Sequence, residues 1–301
     1  MLSLALILIA STFFPGIIVK TKAIFSGRKG PGIFQPWLDI FRLLKKGSVY
    51  SSASSYVFQI AASIYLSTVL LAILFIPFEE TSALLSFTGD FILFAYLLAL
   101  GRFLLIVSAL DVSSGFEGMG ANREAFYAML MEPAFFIVMG SLVMFTGYTS
   151  FHEIFANLHY NGYFSVIIAI ITVYVLVNIT LVETSRLPVD DPLTHLELTM
   201  VHEVMVLDNG GFDLGLIKIA NNLKFIVFST LCADCVIPQS LDLWMRIVLF
   251  FISQLLIGIA IGWIESFRAR NKMAINAQYI LSINAVAMIL IFVVMIIINK
   301  I

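Results

Sequence analysis

Residues 163–203 read YFSVIIAIITVYVLVNITLVETSRLPVDDPLTHLELTMVHE, and the change of character at Glu183 decides how the chain folds. Tyr163 to Val182 is an uncharged apolar run, of the roughly 20 residues that a helix needs to cross the hydrocarbon of a bilayer. The remainder gathers Glu183, Arg186, Asp190, Asp191, His195, Glu197, His202 and Glu203, so a concentrated ionisable segment follows directly on a membrane span. The same contrast runs through the whole chain, in which 60% of 301 residues are hydrophobic and 12% are charged. A mean hydropathy of +1.02 leaves too little polar surface for a water-soluble globule, and the strand alternation of an outer-membrane barrel does not appear. The expected fold is all-α, with one integral membrane domain over residues 1–301. A net charge of −2 makes no electrostatic case for nucleic acid.

Seven more apolar runs accompany 163–183, at roughly 1–19, 56–78, 90–110, 126–148, 216–238, 244–265 and 276–299, which predicts eight transmembrane helices. Lys218, Lys224 and Asp234 intrude on the sixth run, and both lysines are expected to snorkel toward water. Basic residues sort by side. Lys20, Lys22, Arg28, Lys29, Arg42, Lys45 and Lys46 follow the first run, then Arg123, then Arg186, Lys218 and Lys224, then Arg268, Arg270 and Lys272. The alternate connections carry no Lys or Arg. Cytoplasmic loops collect such residues, so both termini are expected outside the cytoplasm. The first run lacks a basic leader and an obvious cleavage site, and is expected to be retained.

An ionisable group in hydrocarbon is costly and marks a pair or a pathway. Arg102 and Glu132 each fall some 10 to 14 Å from the cytoplasmic ends of their runs at about 1.5 Å per residue, so the two could meet. Arg102 reads equally as a lock between helices. Glu132 reads as a functional acid, because Pro133 removes a backbone donor beside it. After Glu183, Asp191 and Pro192 read as the cap and first residue of a helix that sets Asp191, His195, Leu198 and His202 along one face. Histidine titrates near neutral pH, and Met200, Val201, Val204 and Met205 give this helix something to pack with.

Two other segments on the basic side are structured. GRKGPG (27–32) is a glycine-rich turn, and PWLDIFRLLKKG (36–47) spaces Trp37, Ile40, Phe41 and Leu44 as an amphipathic interfacial helix. DVSSGFEGMGANREAFY (111–127) carries three glycines ahead of an expected Asn122 helix cap. Together the loops look like a docking platform, with Arg28, Lys29, Arg42, Arg123 and Arg186 as its cations. Cys232 and Cys235 form one CxxC pair, too few ligands for zinc or an iron–sulfur cluster, and read as packing residues. VHEVMV lacks the second histidine of a zinc protease helix, and no phosphate-binding glycine loop occurs. No metal site is expected.

In order along the chain, GRKGPGIFQPWLDIFRLLKK, GMGANREAFYAMLMEP and ETSRLPVDDPLTHLELTMVHE resemble the membrane subunit shared by respiratory complex I (its subunit 1, or H, family) and the energy-converting nickel–iron hydrogenases, including formate hydrogenlyase. The resemblance implies a redox-coupled ion pump in a prokaryotic cell membrane. This subunit would anchor a peripheral electron-transfer module and begin a charged path into antiporter-like membrane subunits. No cofactor is implied on this chain; the nickel–iron centre and iron–sulfur clusters would sit on hydrogenase-like large and small subunits and an iron–sulfur subunit at the cytoplasmic side. The family's membrane glutamate maps onto Glu132, and its acidic loop onto Glu183, Arg186, Pro188 and Asp190. The implied proton path comprises Glu132, Arg102, Glu183, Asp190, Asp191, His195, Glu197, His202 and Glu203. Complex I has several glutamates where this chain holds Leu193, His195 and Glu197, which points to the hydrogenase-related branch. A quinone-reducing NADH dehydrogenase-type complex is the alternative. A stand-alone transporter would call for internal repeats and broken helices, and no repeat is visible.

Overall fold

The computed structural model describes residues 2–51, 54–78, 83–159, 162–191, 200–239 and 241–298. The helix expected from Pro192, with His195 and Glu197, lies outside the described residues. Among the described residues all regular structure is helical: α1 (Leu2–Phe25), α2 (Gln35–Leu44), α3 (Tyr56–Ile73), α4 (Asp90–Asp111), α5 (Gly115–Thr146), α6 (Phe151–Leu158), α7 (Tyr163–Glu183), α8 (His202–Met205), α9 (Gly211–Val236), α10 (Leu243–Phe267) and α11 (Met273–Ile298). Eight of these are long and apolar enough to span a bilayer, and the protein is a polytopic membrane protein. Helices suit this setting because most of their backbone hydrogen bonds close within the segment, as hydrocarbon requires.

α9 stands inside the bundle and α10 at its edge: 72% of the apolar window of α9 is buried against 28% for α10. α9 packs on α1, α2, α3, α6, α7 and α10. This position explains why the sixth run tolerates charge, and it corrects the expectation that Lys224 snorkels toward water. Lys224 is 1% exposed and points into protein, while Lys218 lines a cleft near the helix start.

Hydrogen bonds gather the basic connections at one end. Asp111 accepts from the Ser55 amide at 2.7 Å, the Tyr50 hydroxyl donates to Asp213 at 2.9 Å, and the Asn271 amide donates to the Pro188 carbonyl at 2.9 Å. At the other end Asp90 accepts from Ser150 Oγ at 2.9 Å and the Phe151 amide at 2.8 Å, fixing the start of α6, a short helix not anticipated from sequence.

Two local expectations are corrected. α5 begins at Gly115 with Ser114 at the N-cap position, so Asn122 lies within the helix. Pro133 sits inside α5, as the apolar run 126–148 implied, and the helix continues past it. Met200 and Val201 are not helical, so a helix cannot run unbroken to His202, which instead opens the one-turn α8. α8 sits directly against Gly120 of α5: a Cβ there would lie 2.5 Å from Val204 Cγ1 and 2.9 Å from both the Met205 nitrogen and the Val201 oxygen.

Candidate functional site

Four spanning helices bring five charges together. Arg102 of α4 pairs with Glu183 at the end of α7, and lies 3.9 Å from Glu124 and 3.9 Å from Glu132, both on α5. Lys224 of α9 reaches the same Glu183 at 2.5 Å. Glu183 therefore bridges two cations, and the cluster holds three carboxylates against two bases. The meeting of Arg102 and Glu132 is as expected from their depths. Glu124 and the Lys224 contact were missed. The first was legible, because Glu124, Ala128 and Glu132 recur at the four-residue spacing that lines one helix face.

A hydrogen-bonded relay leads from the end of the acidic loop to Tyr65, beside this cluster. His202 Nε2 lies 3.0 Å from Asn221 Nδ2, and Asn221 Oδ1 accepts from the Tyr65 hydroxyl at 2.6 Å. Tyr65, buried on α3, is within electrostatic reach of Arg102 and Glu183. His202 is 6% exposed. A cavity of about 10 Å³, room for about one water, separates Arg102, Glu124 and Glu183 from Ser185 and Asp190. A second, of about 50 Å³, lies between Glu132 and Glu183. A cleft of about 380 Å³ opens over Gln35, Asp39, His202, Glu203, Lys218 and Asn222. Beyond Glu132 an open groove between α4 and α5 leads out of the chain.

Asp190 acts as a fastener. Its carboxylate, 2% exposed, accepts from the amides of Asp191 at 2.9 Å, Val201 at 3.3 Å and His202 at 3.0 Å. It also accepts from Arg270 at 2.8 Å. One side chain thus holds both ends of the acidic segment against the α10–α11 connection, where Asn276 adds a hydrogen bond to the Val189 carbonyl at 3.0 Å. Asp191 lies 3.9 Å from Lys22, which is 3.6 Å from Glu265.

The expected docking cations divide. Arg28, Lys29 and Arg42 are exposed. Arg186 instead donates to Glu265 at 3.0 Å and lies 5.4 Å over the Phe225 ring. Arg123 donates to the Met200 carbonyl at 2.8 Å. Both turn inward and brace the acidic segment, a direction that a count of loop charges does not contain. Cys232 and Cys235 are free and buried.

A spanning helical bundle with a charged cluster inside it, reached from a folded loop at one end, defines a class of membrane protein built around buried ionisable groups. The family model described as NADH dehydrogenase matches residues 1–298, and the chain belongs to that family. Hydrogenase-4 component C of Escherichia coli (strain K12) is 29% identical over 233 residues, covering 77% of this chain and 73% of the relative. Formate hydrogenlyase subunit 4 of the same organism is 27% identical over 262 residues, covering 87% and 83%. A chain in the solved structure of the membrane-bound sulfane sulfur reductase, an archaeal respiratory membrane complex, superposes with a TM-score of 0.78 at 19% identity, over 97% of this chain and 98% of that one.

Proposed function

We propose that this chain is the membrane-anchoring and proton-coupling subunit of a complex I-like, hydrogenase-related complex, linking electron transfer in a docked module to ion translocation. Its kinship with hydrogenase-4 component C and formate hydrogenlyase subunit 4 supports the branch. The observation that carries the coupling role is the run of polar groups and cavities from the cleft at His202, through Tyr65 and Glu183, to Glu132.

In this reading the end bearing Arg28 and Lys29 faces the cytoplasm and receives hydrogenase-like large and small subunits and an iron–sulfur subunit, which carry the redox centres. α2 lies at the lipid interface there. An electron arriving above the cleft changes the charge felt by the 183–203 segment and its histidines. Two unit charges 4 Å apart interact by about 4 kcal/mol at an effective dielectric of 20, enough to shift a proton between the relay and Glu132. Glu132 then hands the charge to antiporter-like membrane subunits across the α4–α5 groove.

Glu132→Gln is expected to assemble and to lose redox-linked ion translocation in proteoliposomes; an assembled variant that pumps normally refutes the role. Replacing Arg28 and Lys29 by Glu is expected to release the peripheral subunits, and unchanged co-purification refutes the platform. The cleft of about 380 Å³ favours quinone reduction as the second reading, since ligand pockets begin near 300 Å³. Slowing of the purified complex by a quinone-site inhibitor would select it.

A further inference from the structure

Polar side chains also recur at intervals along the seam of α9 and α10, between the ionic cluster and the opposite end of the bundle. The line of these side chains starts at Lys224. Five residues on, Ser229 donates to Gln254 Oε1 of α10 at 2.5 Å, and Gln254 Nε2 returns toward Thr230 Oγ1 at 3.4 Å. Ser229, Thr230 and Gln254 are all fully buried. One turn further along α9 comes Asp234, about 15 Å from Lys224 at the helical rise. It is 8% exposed, with the Arg246 guanidinium of α10 acting on it electrostatically. Arg246 is anchored by a hydrogen bond to the Phe78 carbonyl, and the His159 ring hydrogen-bonds the Asp234 backbone carbonyl.

Polar groups between membrane helices commonly serve as interhelical glue, and glue satisfies its own atoms. The outer end of this line does not. Asp234 Oδ2, both amide atoms of Gln239 and His159 Nε2 are buried with no hydrogen-bond partner among the described residues. Buried polar atoms in that state call for water or a proton. Asp234 is also the carboxylate of this line farthest from Glu183, so a proton leaving the cluster along the seam meets it last.

We propose that the α9–α10 seam is a proton-conducting path across this chain itself, with Asp234 as its terminal proton site. The path rests on the coupling role of the ionic cluster. A proton released at the cluster hops through waters and the Ser229 and Thr230 hydroxyls past Gln254, is taken up by the Asp234 carboxylate, and leaves to the water at the outer face beside His159 and Gln239.

The test uses the intact complex in proteoliposomes, with protons delivered per electron pair as the readout. Asp234→Asn and Gln254→Leu are each expected to lower this ratio at least twofold, and Asp234→Glu to restore it. A normal ratio in Asp234→Asn beside a lowered ratio in Glu132→Gln overturns the path and leaves the coupling role standing; normal ratios in both overturn the two together. Should Asp234→Asn fail to assemble, the wild-type complex decides. A hydrophobic carbodiimide is expected to modify Asp234 and to inhibit pumping in proportion, and an Asp234 that stays unmodified under full inhibition overturns the path.

Discussion

Arg102 touches carboxylates on two sides, and the two sides differ in kind. Glu183, from α7, has a side chain 6% exposed and bridges Arg102 and Lys224. Glu132, from α5, has a side chain 45% exposed and meets Arg102 at 3.9 Å. The first carboxylate is enclosed between two buried cations, and its charge is part of what allows those cations to exist in hydrocarbon. The second faces a groove at the chain's edge, and Arg102 keeps its pairing with Glu183 whether or not Glu132 contributes. Glu183 is thus a fixed counter-charge between two cations, whereas Glu132 sits beside one of them at the chain's surface.

The contrast can be broken experimentally, beginning with the largest effect. Glu183→Gln leaves Arg102 and Lys224 without their shared counter-charge and is expected to cost about 3–5 kcal/mol, read as loss of folded chain and early thermal unfolding in detergent. Adding Lys224→Met to that variant is expected to recover part of the loss, because a buried pair replaced by uncharged groups is tolerated far better than a broken one. Asp190→Asn, which removes a charged acceptor from three amides and Arg270, is expected to cost about 2 kcal/mol and to raise protease cleavage between α7 and α9. Gly120→Ala is expected to cost about 1–3 kcal/mol by pushing α8 off α5, seen as a lowered melting temperature. Glu132→Gln, at the bottom of the scale, is expected to change stability by less than about 1 kcal/mol. A large destabilisation there would show that Glu132 is a second fixed charge.

How much of this was legible in the sequence follows from the range of each interaction. Spans and depths are local quantities, since a fixed rise per residue turns position into height; the approach of Arg102 and Glu132 could therefore be anticipated. Lys224 could not be placed, because whether a lysine snorkels or is enclosed depends on which helices surround α9. The same limit applied to Arg123 and Arg186, whose loop positions suggested a partner and whose acceptors, Met200 and Glu265, come from distant segments. Tyr65 reads as one more aromatic in an apolar run until Asn221 is seen opposite its hydroxyl. The α8 break was hidden by a helical spacing of apolar residues that continues through Met200 and Val201 without regard to the amides Asp190 captures.

The double grip of Asp190 makes the chain enter and leave residues 191–201 through a single doorway, held shut by one carboxylate. The Arg270 guanidinium flanks that doorway on one side and the His202 imidazole on the other, so releasing the Asp190 carboxylate would free the first residue of the hydrogen-bonded chain that ends at Tyr65.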